Sequence, residues 1–267
     1  MLRRCFRLGG GILSFFALLM AGQVAAAPVH LGASTPDRDA AARSSGVEGD
    51  LDRSHDERVA IQDALIWAGH YHGQLDGDLS GPARFGIKRF QEQIGVAATG
   101  VLSAADLKRL FDGRRAGVER AGFRVIEETV LGIRVGLPHT LLRRASDGDG
   151  LVTFEPVGGA PGIGLALVAL EGSEKELRQQ RAILMSSQLV GDAPLVLEEA
   201  GWFLIAGHRD DFRSYAHLRS EGGMIRGFIL TWTADVDAQF KPVAAAMFNS
   251  FEAVESWAAP RSGRFSH

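Results

Sequence analysis

Two histidine groups carry the side chains that metal binding or proton transfer would need: His70-Tyr71-His72, and His208-Arg209-Asp210-Asp211 with His217 further on. Zinc takes three or four ligands held by supporting partners. No neighbouring cluster joins His70 and His72, so a surface loop is the expected reading. Asp-Asp is ordinary chemistry for a charged hairpin turn, and the second group is read that way unless the fold gathers His208, Asp210 and His217 into one cleft. No Gly-x-Ser-x-Gly elbow occurs, and Ser186-Ser187 has no histidine beside it in sequence, so serine nucleophile chemistry has little support. Gly158 to Gly164 is glycine-rich but lacks the Lys-Ser/Thr ending of a phosphate loop and precedes a strand-like run, which makes it a turn. Glu127-Glu128 and Glu198-Glu199 fall on strand-like runs, where neighbours alternate faces, so neither pair suits a glycosidase dyad. The expectation is no catalytic residue, no metal and no cofactor.

Charge and cysteine usage narrow the classes further. Arg3, Arg4 and Arg7, the apolar run Ile12 to Gly22, and Ala25-Ala26-Ala27 read as a secretory signal peptide over residues 1–27. The apolar run is shorter than the roughly 20 residues of a spanning helix, so no stable membrane insertion is expected after cleavage. Removing the three arginines of that segment leaves 26 basic against 32 acidic residues, a poor balance for gripping phosphate backbones, and no nucleic-acid partner is expected. Cys5 is the only cysteine, so the mature chain has neither disulfides nor thiol nucleophiles, and cysteine peptidases and transpeptidases are excluded.

The remaining residues must position whatever site exists. Residues 28–53, with few large apolar side chains, read as a disordered leader. Ser54 and Glu57 are spaced as a capping box. Ile61, Ala64, Leu65 and Ala68 share one helical face, and Gly69 follows as a left-handed C′ residue. Asp76-Gly77 suits a tight turn, and Ser80, Gly81 and Pro82 open a second helix. Phe85 or Gly86, with Ile87, Phe90 and Ile94, supplies its buried stripe. Ser103 and Asp106 cap a third helix, whose Leu107, Leu110 and Phe111 close the core. No internal repeat is evident.

This helix–Gly-Asp turn–helix–Gly turn–helix pattern, from Val59 to Leu110, resembles the small three-helix peptidoglycan-binding domain of bacterial envelope proteins. The resemblance covers about a fifth of the chain, residues 54–112. Ser80, Ala83 and Asp106 depart from the family's usual residues, which bears on ligand affinity more than on fold. It implies a cell-wall address, with peptidoglycan as partner. The ligand contacts sought beside the turn and second helix are Tyr71 against the ligand, Arg84 pairing with a stem carboxylate and Gln91 bonding amides. Asp76 is placed there too, chiefly holding the turn.

Residues 113–122 read as a polar linker, and 123–256 as a second, α+β domain. Val125 to Val135 makes a strand or a hairpin about Gly132. Leu151 to Glu155 and the apolar Gly164 to Leu170 are strands, the latter central. A Ser173–Glu176 capping box opens a helix. Leu195 to Leu197, Gly201 to Ala206, Phe212 to Leu218 and Met224 to Trp232 form an antiparallel run. A last helix from Asp235 or Asp237 covers the sheet with Phe240, Ala244, Met247, Phe248 and Phe251. Trp67, Trp202, Trp232 and Trp257 are expected as anchors, and 257–267 as a flexible tail. The order, with Gly201 to Ile205, the Tyr215 strand, Gly222-Gly223 and Met247 to Phe251, resembles the PsbP-like α/β/α sandwich. That resemblance implies a non-catalytic accessory or partner-binding module.

The expected fold class is thus α + (α+β): a small three-helix N-terminal domain followed by an antiparallel-sheet α/β sandwich. The expected protein is periplasmic and non-catalytic, holds the wall through its helical domain, and presents the second domain to an envelope protein. The alternative is a peptidoglycan hydrolase or other wall-modifying enzyme with its site in the second domain. A third reading makes the helical unit only a packed cap.

Overall fold

A computed structural model describes residues 53–254, apart from Asp149, Pro161 and Asp192. The expected signal peptide, the leader up to residue 52 and the tail lie outside the described residues. Local signals account for the helices. Ser54 and Glu57 close a capping box on α1 (His55–Trp67), and Ser103 and Asp106 close another on α3 (Ala104–Ala121). Between them α2 (Gly81–Gln93) starts at Ser80 with Pro82 in its first turn, where a missing N–H costs nothing.

Two departures from the sequence reading fall here. The stretch read as a linker, 113–122, is the second half of α3, which runs unbroken to a left-handed cap at Gly122. Trp67 explains why. A Cβ on Gly117 would lie 3.0 Å from the Trp67 ring, so glycine lets α3 pass close over α1, and Arg114 forms an ion pair back to Asp63. The second departure is a short repeat. Gly77-Asp78-Leu79-Ser80 and Gly100-Val101-Leu102-Ser103 are equivalent turns, each with a left-handed glycine, a buried leucine and a serine starting the next helix.

The chain passes from Gly122 straight into β1 (Phe123–Glu128), which pairs with β2 (Ile133–Pro138). The short β10 (Glu252–Ala253) closes the other side of β2, giving a separate three-stranded sheet. Seven further strands form one antiparallel sheet: β3 (Leu142–Gly148), β4 (Leu151–Pro156), β5 (Gly164–Glu171), β6 (Leu195–Glu199), β7 (Trp202–Arg209), β8 (Phe212–Glu221) and β9 (Met224–Thr233). Their order is β3-β4-β5-β9-β8-β7-β6. Alternation assigns the two faces. Ala166, Val168, Phe203, Ile205, Ala216 and Leu218 pack under α4 (Glu174–Ser186), with its Leu177 and Leu184. Leu165, Leu167, Leu204, Tyr215, Phe228 and Leu230 pack under α5 (Asp237–Ser250).

Helix α5 joins the two halves. Phe240, Val243, Ala244, Ala245, Ala246 and Met247 are all buried, and a helix that is apolar nearly all round must be covered on more than one side. The sheet covers one side; β2 and α1 cover the others. Ile61, Leu65, Trp67, Phe228, Val243 and Met247 consequently belong to a single core. The architecture is a three-helix domain followed by an antiparallel sheet sandwiched between helices.

Candidate functional site

Two buried glutamines organise the helical domain. Gln62 on α1 is fully buried; its Oε1 accepts the Gly77 N–H at 2.8 Å and its Nε2 donates to the Asp78 carbonyl at 3.0 Å. Gln91 on α2 does the same one turn later, accepting from Gly100 N at 2.8 Å and donating to Val101 O at 2.8 Å. A primary amide offers an acceptor and a donor side by side, which matches the N–H and the next C=O of a tight turn.

Three of the four side chains expected to contact ligand are parts of these clamps or of the loop between them, and the fourth braces a turn. Tyr71 is 7% exposed and its hydroxyl donates to Gln74 O at 2.7 Å. Burial, with Asp76 and Asp78 nearby, raises its pKa to about 12, so it remains a neutral donor. Asp76 accepts from Gln62 Nε2 at 2.6 Å and from Asp78 N at 2.9 Å. Gln91 is 1% exposed, and Arg84 donates to Gly100 O at 2.9 Å. Tyr71 and Asp76 therefore meet around Gln62, while Arg84 and Gln91 meet around Gly100. Tyr71 and Gln91, read from the sequence as ligand contacts, are thus buried and bonded within the domain, while Asp76 is exposed and Arg84 half-buried.

The surface itself carries a different constellation. A shallow groove of about 510 Å³ lies between α1 and α3, lined by Asp56, Val59, Ala60, Asp63, Leu75, Phe111 and Arg114. Phe111, expected in the core, is instead 37% exposed. The groove offers an apolar floor, the Asp63–Arg114 ion pair and the carboxylate of Asp56. Such a mixture suits a ligand with one apolar face and amide, hydroxyl or carboxylate groups around it. The sequence hid it, because Arg114 sits in a stretch read as linker and Phe111 falls at a helical position equally fit for the core.

The second domain separates the groups an enzyme would need together. His217 is 5% exposed, with Nδ1 3.1 Å from Phe203 O and its ring edge-on to Phe248 and Phe251 at 5.0 Å. His208 pairs with Arg213, four positions along β8 from His217, a separation of about 13 Å at the rise of a strand. Asp210 lies in the β7–β8 turn at φ 50°, a left-handed conformation that aspartate tolerates. His70 Nε2 contacts Gln93 Oε1 at 2.6 Å, and His72 is exposed. Among the described residues no three His, Cys, Asp or Glu side chains converge as metal ligands. Glu127 points outward, whereas Glu128 is buried and pairs with Arg144 at 2.6 Å.

Helices of 13, 13 and 18 residues with two amide-clamped glycine turns define a small three-helix domain. Residues 54–110 match the family model described as "Putative peptidoglycan binding domain", so this stretch is a domain of that peptidoglycan-binding type. Among solved structures, the chain is similar to cyanobacterial PsbP (CyanoP) from Synechocystis sp. PCC 6803. The identity is 15% and the TM-score 0.37, over 50% of this chain and 93% of that one. A structure from Bacteroides thetaiotaomicron VPI-5482 is similar at 12% identity and a TM-score of 0.33, over 49% of this chain and 48% of that one. At these values neither likeness bears on function. A search of curated proteins finds no match. Among the described residues no helix is long and apolar enough to cross a membrane.

Proposed function

We propose that this protein is a periplasmic, non-catalytic wall-binding protein that holds peptidoglycan in the α1–α3 groove. The carrying observation is the family match over residues 54–110, coinciding with a unit whose first and third helices are closed by capping boxes and whose two glycine turns are held by Gln62 and Gln91. In this reading Phe111, Val59 and Leu75 take the apolar face of a sugar or stem side chain. Arg114 and Asp63 meet carboxylate and amide groups of the peptide stem. Tyr71, Asp76, Arg84 and Gln91 serve indirectly, by fixing the turns that frame the domain. The signal-like residues 1–27 support export. The separation of His217 from His208 and Asp210 supports an accessory or partner-binding role for the second domain over a hydrolase.

One observation favours a second reading, in which the helical unit is only a packed cap: α5 of the second domain covers part of α1. Pelleting of the purified protein with peptidoglycan sacculi separates the two. Because α1 helps bury α5, deleting residues 54–112 would uncover core, and point variants in the groove are the cleaner control. Phe111→Ala should reduce pelleting without changing the thermal midpoint by more than about 2 °C. Pelleting equal to wild type would remove the groove from the reading. No pelleting by wild type would favour the cap, and release of soluble wall fragments would make the protein an enzyme.

A further inference from the structure

We propose that Asn249 is a positioning residue for the wall groove, so that the second domain completes a site carried by the first. The inference rests on the reading of the α1–α3 groove as the wall site. Leu75 forms part of that groove and lies in an irregular segment between α1 and α2, without a helix or strand of its own to fix it. Its neighbours are held from within the helical domain, Gln74 through Tyr71 and Gly77 through Gln62. Leu75 itself is held from outside. Asn249, on the last turn of α5 and 174 residues away, accepts the Leu75 N–H at 2.9 Å. Its Nδ2 donates to Gly73 O at 3.0 Å and to Ala245 O at 2.9 Å.

The geometry makes this a clamp. One amide takes both an N–H and a carbonyl of a single segment, here the Leu75 N–H and the Gly73 carbonyl two residues before it, where Gln62 and Gln91 each take an N–H and the next carbonyl. The bond to Ala245 fixes the amide's orientation on α5. Helix α5 is in turn immobilised, with Val243 and Met247 fully buried between sheet and helices. Chain connection adds to the coupling, since α3 enters β1 through a single cap residue and Thr140 Oγ1 ties back to Arg120 O at 2.6 Å. Without the Asn249 amide, residues 73–75 lose two bonds to the second domain, and Leu75 is free to leave the groove.

The test compares wild type, Asn249→Leu, Asn249→Asp and Phe111→Ala for binding to purified sacculi, with amide exchange at Leu75 as a second readout. Asn249→Leu should bind about five- to tenfold more weakly, the equivalent of one or two neutral hydrogen bonds, and expose the Leu75 amide to faster exchange. Asn249→Asp keeps an acceptor for that amide and should recover part of both. Loss of binding by Phe111→Ala while Asn249→Leu binds like wild type would overturn the positioning role and leave the groove standing. Should Asn249→Leu unfold, slowed exchange at Leu75 with retained binding in Asn249→Asp carries the test, and fast exchange with full binding overturns it. Absence of binding by wild type, or full binding by Phe111→Ala, would overturn the groove and this role with it.

Discussion

His217 gives the second domain a measurable pH dependence. Burial among Trp202, Phe228, Phe248 and Phe251 penalises the imidazolium and lowers its pKa from 6.5 to about 4; the hydrogen bond to Phe203 O opposes the shift, and Arg219 adds to it. In the unfolded chain the group titrates near 6.5, so between the two values the unfolded state holds a proton that the folded state lacks. Stability from this residue is therefore complete above about pH 6.5 and lost as pH falls towards about 4, with a full span of about 3 kcal/mol. His217→Leu removes the titration at similar volume. Urea unfolding of both proteins from pH 7 to pH 4.5 isolates it, because Asp78, Asp106 and Asp237, all with lowered pKa values, contribute equally to each. The wild-type curve should fall about 2 kcal/mol further than the variant's over that range. Parallel curves would refute the reasoning.

The helical domain makes sharper predictions about stability. Gln62→Leu leaves the Gly77 N–H and the Asp78 carbonyl without their partner and should cost about 2 to 4 kcal/mol, seen as a thermal midpoint about 5 to 12 °C lower. Gln91→Leu should behave alike through Gly100 and Val101, and a loss under about 1 kcal/mol in either would contradict the clamp description. Gly117→Val drives a branched side chain into Trp67 and should cost about 1 to 3 kcal/mol in urea unfolding; an unchanged midpoint would mean α3 does not pass over Trp67 as described.

The legible parts of the fold were those written in local chemistry. The three capping boxes at Ser54, Ser103 and Ser173 are contiguous four-residue signals, and each opens a helix. Apolar runs such as Gly164 to Leu170 and Met224 to Trp232 marked strands because both faces of the sheet are covered. What stayed hidden depends on distant partners. Residues 113–121 look like a linker until Trp67 and Asp63 are placed beside Gly117 and Arg114. Strand β3, Leu142–Gly148, is mostly polar and exists by pairing with β4. The types of Tyr71, Asp76, Arg84 and Gln91 fit a binding surface equally well, and sequence carries no sign of the burial of Tyr71 and Gln91 or of the bonds from these four to Gln74, Gln62, Gly100 and Val101. The groove needed α3 to be long and Phe111 to turn outward, neither of which helical periodicity decides.

The central claim is that the α1–α3 groove holds the wall, and the most direct measurement is the affinity of wild type and Phe111→Ala for purified sacculi in a sedimentation titration at moderate salt. Saturable pelleting of wild type, weakened at least about tenfold in Phe111→Ala by loss of a buried aromatic contact, is the expected result. Superimposable titrations of the two proteins, or no pelleting of either, would contradict it.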